Sequence, residues 1–152
     1  MRIGQALVAA ATGLVLALGV GALPAQAASC YGGGCTGKNP STQGCSSDAL
    51  TIASRFVPEG WKEVTIEVRY SPACLAVWAR ITEDTVAADH VTRAYIREYD
   101  LNKTYIGGYS KDIGPAKSSS AFTSMYGYTS SRWFRACFRM LPSDTTYCTA
   151  YV

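Results

Sequence analysis

The six cysteines of this chain, Cys30, Cys35, Cys45, Cys74, Cys137 and Cys148, all follow an apolar leader, and no other feature constrains the fold as strongly. The leader opens with Arg2, continues as an Ala/Leu/Val/Gly run to Leu23, and ends at Ala25-Gln26-Ala27. Those are the positive, apolar and small-residue cleavage regions of an export signal. Residues 1–27 therefore read as a cleavable signal peptide and residues 28–152 as one secreted domain. An exported chain meets an oxidising compartment, where six thiols pair as three disulfides.

Two other readings of the leader compete with cleavage. The apolar run is nearly long enough to span a bilayer as a retained anchor. Ala27-Ala28-Ser29-Cys30 also faintly resembles a lipobox. The Gly and Ala content and the A-x-A site favour release. The box lacks an aliphatic residue at its start, and acylating Cys30 would strand an odd number of thiols. After the leader no segment is apolar for long enough to cross a membrane.

Composition excludes several functions. The formal charge of +3 falls by one when Arg2 leaves, and the remaining charge is too small and too dispersed for a nucleic-acid footprint. A zinc site calls for a tight C-x-x-C pair or clustered histidines. The chain has one histidine, His90, and no such pair. The expectation is a protein without metal or cofactor.

Periodicity predicts strands. Val64, Ile66, Val68 and Tyr70 alternate with Glu63, Thr65, Glu67 and Arg69, the period of two that marks a strand with one wet face. After a Ser71-Pro72 turn, Leu75, Val77, Ala79 and Ile81 lie opposite Ala76, Trp78 and Arg80 in a strand that looks more buried. Val91, Arg93, Tyr95, Arg97 and Tyr99 share one face of a third strand, with Thr92, Ala94, Ile96 and Glu98 on the other. A turn at residues 100–103 returns the chain over 104–109, and residues 112–120, rich in Ser with Gly114 and Pro115, read as a loop.

At the C-terminus, Leu141-Pro142-Ser143-Asp144 closes a hairpin that pairs Met140 with Thr145 and so sets Cys137 opposite Cys148. Facing positions on antiparallel strands hold Cβ atoms near disulfide range, which predicts that bridge. The register puts Phe134, Ala136, Phe138 and Met140 with Tyr147, Thr149 and Tyr151 on the apolar side, and Trp133, Arg135 and Arg139 on the other. Cys30, Cys35, Cys45 and Cys74 allow three pairings, and spacing does not choose among them. A short Cys30 to Cys35 loop over the three glycines is one option. Residues 29–48 carry three cysteines among Gly, Ser, Thr, Asn and Pro, as a disulfide-knotted loop does, and residues 46–57 are ambiguous. The fold class is all-β, a small disulfide-stapled antiparallel β-sandwich or partly open barrel of about seven strands.

The ordered combination Cys30-Tyr-Gly-Gly-Gly-Cys35-Thr-Gly-Lys-Asn-Pro40, Gly44-Cys45, Asp48-Ala49, Arg69-Tyr70-Ser71-Pro72-Ala73-Cys74 and Trp78-Ala79-Arg80 resembles the YjfA-like family of secreted bacterial proteins. The resemblance covers residues 30–80. It implies an extracellular module of the kind attached to membrane-anchored proteins, and it carries over no catalytic residue.

Other chemistry is weaker. Gly32 and Gly37-Lys38 satisfy part of a phosphate-binding loop, but Asn39 and Pro40 break it and no strand precedes it. His90 has no nucleophile elbow beside it and reads as a turn residue next to Asp89. Asp48 is the acid to watch for hydrolysis, against an ordinary turn-capping role. Asn102-Lys103-Thr104 fits a glycosylation sequon that is incidental in a bacterial chain. Arg69 and Arg80 read as structural partners of Glu67.

The strongest candidate surface is Arg93, Tyr95, Arg97 and Tyr99 on one strand with Trp133, Arg135 and Arg139 on another. Guanidinium groups take carboxylate or phosphate bidentately, and Tyr and Trp offer rigid contact area or stacking platforms. The expected function is a non-catalytic extracellular binding module whose partner is a cell-envelope polymer or another secreted protein. The alternatives are a small secreted hydrolase acting on envelope polymer and a secreted inhibitor or adaptor.

Overall fold

A computed structural model of the protein describes residues 27–59, 62–85, 91–114 and 119–152. Among the described residues the strands are β1 (Leu50–Glu59), β2 (Lys62–Ser71), β3 (Ala76–Thr85), β4 (Thr92–Tyr99), β5 (Tyr105–Ile113), β6 (Ser119–Phe122), β7 (Tyr126–Gly127), β8 (Trp133–Met140) and β9 (Thr146–Cys148). They form two antiparallel sheets, one ordered β1-β2-β3-β6 with β7 also pairing β3, the other ordered β5-β4-β8-β9. The sheets face each other as a sandwich, without a closed barrel.

The alternation read in the sequence determines what lies between the layers. Val64, Ile66 and Val68 of β2, Val77, Ala79 and Ile81 of β3, Ala94 and Ile96 of β4, and Phe134, Ala136 and Phe138 of β8 are all fully buried in one cluster. Burying each large side chain contributes roughly 1.5–3 kcal/mol. Tyr147 of β9 stacks on Phe138. The edges are tied as well, since Arg55 of β1 donates through Nη1 to the Cys148 carbonyl at 3.1 Å and lies over the Tyr147 ring.

The first half of β3, residues 76–79, is buried on both faces, as its continuous apolar run implies, whereas Arg80, Thr82 and Asp84 are exposed. Its outer residues Ala76 and Trp78 sit in a second cluster with Met125 and three cysteines, beneath residues 29–48. That region contains only a single 3-10 turn, Gly32–Cys35. It is held by the disulfides Cys30–Cys35 and Cys45–Cys74 and by Gly32 N–H donating to the Cys74 carbonyl at 2.8 Å. Here the backbones approach so closely that a Cβ on Gly127 would lie 2.4 Å from the carbonyl carbon of Gly32. Gly32 itself has φ +50.

One open reading is resolved and three expectations are corrected. The ambiguous segment over 46–57 resolves into β1, beginning at Leu50. Asp112 and Ile113 extend β5, because Ile113 is buried and pairs with Thr92, and Ser119 and Ser120 begin β6 against β3. The rest of the predicted loop over 112–120, at residues 115–118, lies outside the described residues. Leu75 lies in the turn with φ 48, ahead of β3. Tyr151 leaves the apolar side. Thr149 N–H donates to Ala136 O, but Val152 N–H donates to Phe134 O, so one extra residue enters the C-terminal strand edge. Such an insertion reverses the alternation.

Candidate functional site

The pairing of β4 with β8 decides whether the two predicted Arg/aromatic groups share a face. Arg93 lies opposite Arg139, Tyr95 opposite Cys137, Arg97 opposite Arg135 and Tyr99 opposite Trp133. All seven predicted residues therefore lie on the outer face of the second sheet, in two cross-strand rows of cations. Facing Cβ atoms are about 4.5–5.5 Å apart, and the two rows, four residues apart, are separated by about 13 Å. Between them the Cys137–Cys148 disulfide bridges β8 to β9, as the hairpin register predicted.

Like charges placed directly opposite each other destabilise a sheet unless something compensates them. The first row is compensated by acids. Arg93 Nη2 donates to Asp112 Oδ2 at 2.8 Å and its Nε donates to Oδ1, a bidentate pair across β4 and β5. The hydrogen bonds from Arg93 hold the Asp112 carboxyl below its ordinary range, and the guanidinium is pushed up in return. Arg139 Nη1 lies 3.6 Å from Asp144, while its buried Nε has no hydrogen-bond partner among the described residues.

The second row has no acid partner among the described residues. Arg97 Cζ lies 4.9 Å from the centroid of the Tyr95 ring. Arg135 Cζ lies 4.5 Å from the Tyr151 ring, and its Nε and Nη2 donate to the Thr149 carbonyl at 3.1 and 2.9 Å. Lys103 Nζ joins them, 5.0 Å from the Tyr151 ring and 5.8 Å from the Trp133 ring. Tyr99 is covered by edge contacts from Tyr105 and Tyr151 and is only 8% exposed, so it supports the surface from below.

Sequence reasoning missed Lys103, Tyr105 and Tyr151. The first two flank the end of a turn recognised only as a turn, and Lys103 takes φ 62, which swings its side chain back over the sheet. Strict alternation puts Tyr151 on the apolar side, and the one-residue insertion before Val152 turns it to the outer face.

The other candidates take structural roles. Asp48 accepts from Ser71 Oγ and from the Ala73 backbone N–H at 2.7 Å, which fixes the turn before β3. Arg80 Nε lies 2.8 Å from Glu67, with Arg69 at 3.7 Å. In the glycine loop the fold takes several N–H donors, Gly32 N–H on the Cys74 carbonyl, Gly37 N–H on Met125 and Lys38 N–H on Cys35. His90 and the leader through Gln26 lie outside the described residues. The sulfurs of Cys30, Cys35, Cys45 and Cys74 lie within 4.8 Å of one another, a clustering that linear spacing did not reveal. Paired as disulfides, they hold no thiolate to offer a metal.

Clefts of about 350, 430 and 250 Å³ lie at the sheet edges and beside Trp78, and their linings include no carboxylate and no histidine. Among the described residues no helix is long and apolar enough to cross a membrane. In comparisons with known proteins, a family described as "Protein of unknown function (DUF2690)" matches residues 33–137. Neither curated proteins nor solved structures give a match.

Proposed function

The chain belongs to the DUF2690 family, whose description states no activity, and from that premise we propose that it is a non-catalytic extracellular binding module. Its outer β4–β8 face contacts a cell-envelope polymer or another secreted protein. The single observation that carries this reading is the cross-strand register, which gathers four arginines with Tyr95 and Trp133, all half-buried, on one outer face. The three disulfides point to an oxidising compartment. Cleavage after Ala27 and release as a single secreted domain belong to the same proposal, as does kinship with the YjfA-like proteins.

The test is capture of the oxidised, mature protein on whole cell wall and on culture supernatant. Wild type is compared with Arg93→Ala/Arg97→Ala/Arg135→Ala, after melting and thiol titration show the variant folded with all three disulfides closed. The expected result is wild-type capture that the variant loses. Equal capture of both proteins, or none of either, sinks the reading.

A further inference from the structure

The two cation rows are not equivalent, and the difference points to a ligand. Arg93 is neutralised by a bidentate carboxylate, whereas Arg97 and Arg135 face each other across β4 and β8 with no acid between them. A fold that sets two guanidinium groups side by side accepts their repulsion, and here only ring faces and one carbonyl offset it. The Arg97 guanidinium makes no hydrogen bond within the described structure. Arg135 uses only its Nε and Nη2 on Thr149, so its Nη1 donors remain available. Lys103 supplies a third cation beside the same Tyr151 ring.

The geometry points to this cradle as a site for a phosphodiester group of an anionic envelope polymer built from polyol or sugar units. This deepens the binding-module reading and rests on it. A tetrahedral phosphodiester projects its two free oxygens in different directions, so one group reaches both the Arg97 fork and the free Arg135 Nη1 donors on the adjacent strand. A carboxylate's two oxygens are coplanar and lie side by side, the arrangement one fork grips in the Arg93–Asp112 pair, and they suit two facing guanidinium groups less well than tetrahedral oxygens do. The Tyr95, Trp133 and Tyr151 rings beside the cations offer flat apolar surfaces to the uncharged units between phosphates. At the far row, about 13 Å away, the Arg139 side chain is 31% exposed and gives an extended polymer a second, weaker contact.

The experiment is titration calorimetry of the oxidised, mature protein at low and at physiological salt. Poly(glycerol phosphate) is the probe, with polygalacturonate and inorganic phosphate as comparators. Wild type is expected to bind poly(glycerol phosphate) at least tenfold more tightly than polygalacturonate, with affinity falling as salt rises. Arg97→Ala/Arg135→Ala should lose at least tenfold in Kd. Arg97→Lys/Arg135→Lys, which keeps charge but not the forks, should lose severalfold. Lys38→Ala/Arg80→Ala, which removes the same charge away from this face, should bind as wild type does.

Equal affinity for the two polymers, or an equal loss in the Lys38/Arg80 variant, overturns the phosphodiester assignment in favour of general charge attraction. Absence of polymer binding while wall or supernatant capture still depends on this face overturns the cradle and leaves the binding-module reading standing. If capture also fails, both fall together.

Discussion

At the scale of single residues, the tightest constraint is at Gly127, whose missing side chain leaves room for the Gly32 backbone. A Cβ there would stand 2.4 to 2.5 Å from three backbone atoms, and backbone cannot swing aside as a side chain can. Gly127→Ala should cost about 3 kcal/mol or more in urea unfolding, the range of severe overpacking. Gly33→Ala, where nothing lies within 4 Å, should change stability by less than about 1 kcal/mol. The Arg93–Asp112 pair makes a pH prediction. Because the folded Asp112 pKa is depressed, its stabilisation is present above the ordinary carboxylate pKa and is lost as pH falls through the folded value. Arg93→Ala should move the Asp112 titration upward in carbonyl-detected NMR, and high salt should shrink the wild-type difference. At the alkaline end, burial first, then the neighbouring Tyr109, Glu98 and Tyr105, push the Tyr126 phenol up to about 12. The neutral form is favoured by folding, so this contribution is present below the unfolded phenol pKa and fades as pH climbs towards 12. An ultraviolet titration should show a late tyrosine step that Tyr126→Phe removes.

At the scale of elements, the strands that alternate cleanly were legible in the sequence and those that depend on distant partners were not. β2, β4 and the β8–β9 hairpin carry their own period, and the Cys137–Cys148 bridge followed from the hairpin register alone. β1 looked ambiguous because it is an edge strand with Leu50, Ile52 and Phe56 exposed, which blurs its pattern. β6 and β7 are too short to show a period and exist because β3 has a free edge to pair. Within the face, residues on regular strands were found from sequence, whereas Lys103 and Tyr151 required a left-handed turn and a one-residue slip that periodicity does not encode. Disulfide removal offers a quantitative check. Loop-closure entropy predicts a cost of about 3 kcal/mol for Cys137→Ala/Cys148→Ala and about 1 kcal/mol more for Cys45→Ala/Cys74→Ala, whose cysteines are 29 residues apart rather than 11. Unfolding midpoints in the same urea series would rank them. The reverse order would show that the hairpin bridge acts mainly through the folded state.

At the scale of the whole molecule, the sandwich form followed from counting short alternating segments, but its closure depends on contacts that no local pattern reveals. Arg55 connects the β1 edge of one sheet to the β9 edge of the other. Arg55→Ala should cost about 1–2 kcal/mol and raise hydrogen exchange at the β1–β9 seam before it does so in β3 or β4. The two layers also differ in what covers them. Residues 29–48, with their two disulfides, cover the outer side of β3, whereas the outer side of β4 and β8 has no such cover. Among the described residues the binding face proposed above lies on one side of the sandwich only, so the proposed module is monovalent. It would line a polymer strand as tiles line a beam, each copy occupying one stretch and none bridging to a second strand. Saturating a polymer solution with the protein should therefore load the chains without gelling them, whereas a two-faced module of the same affinity would draw them into a network.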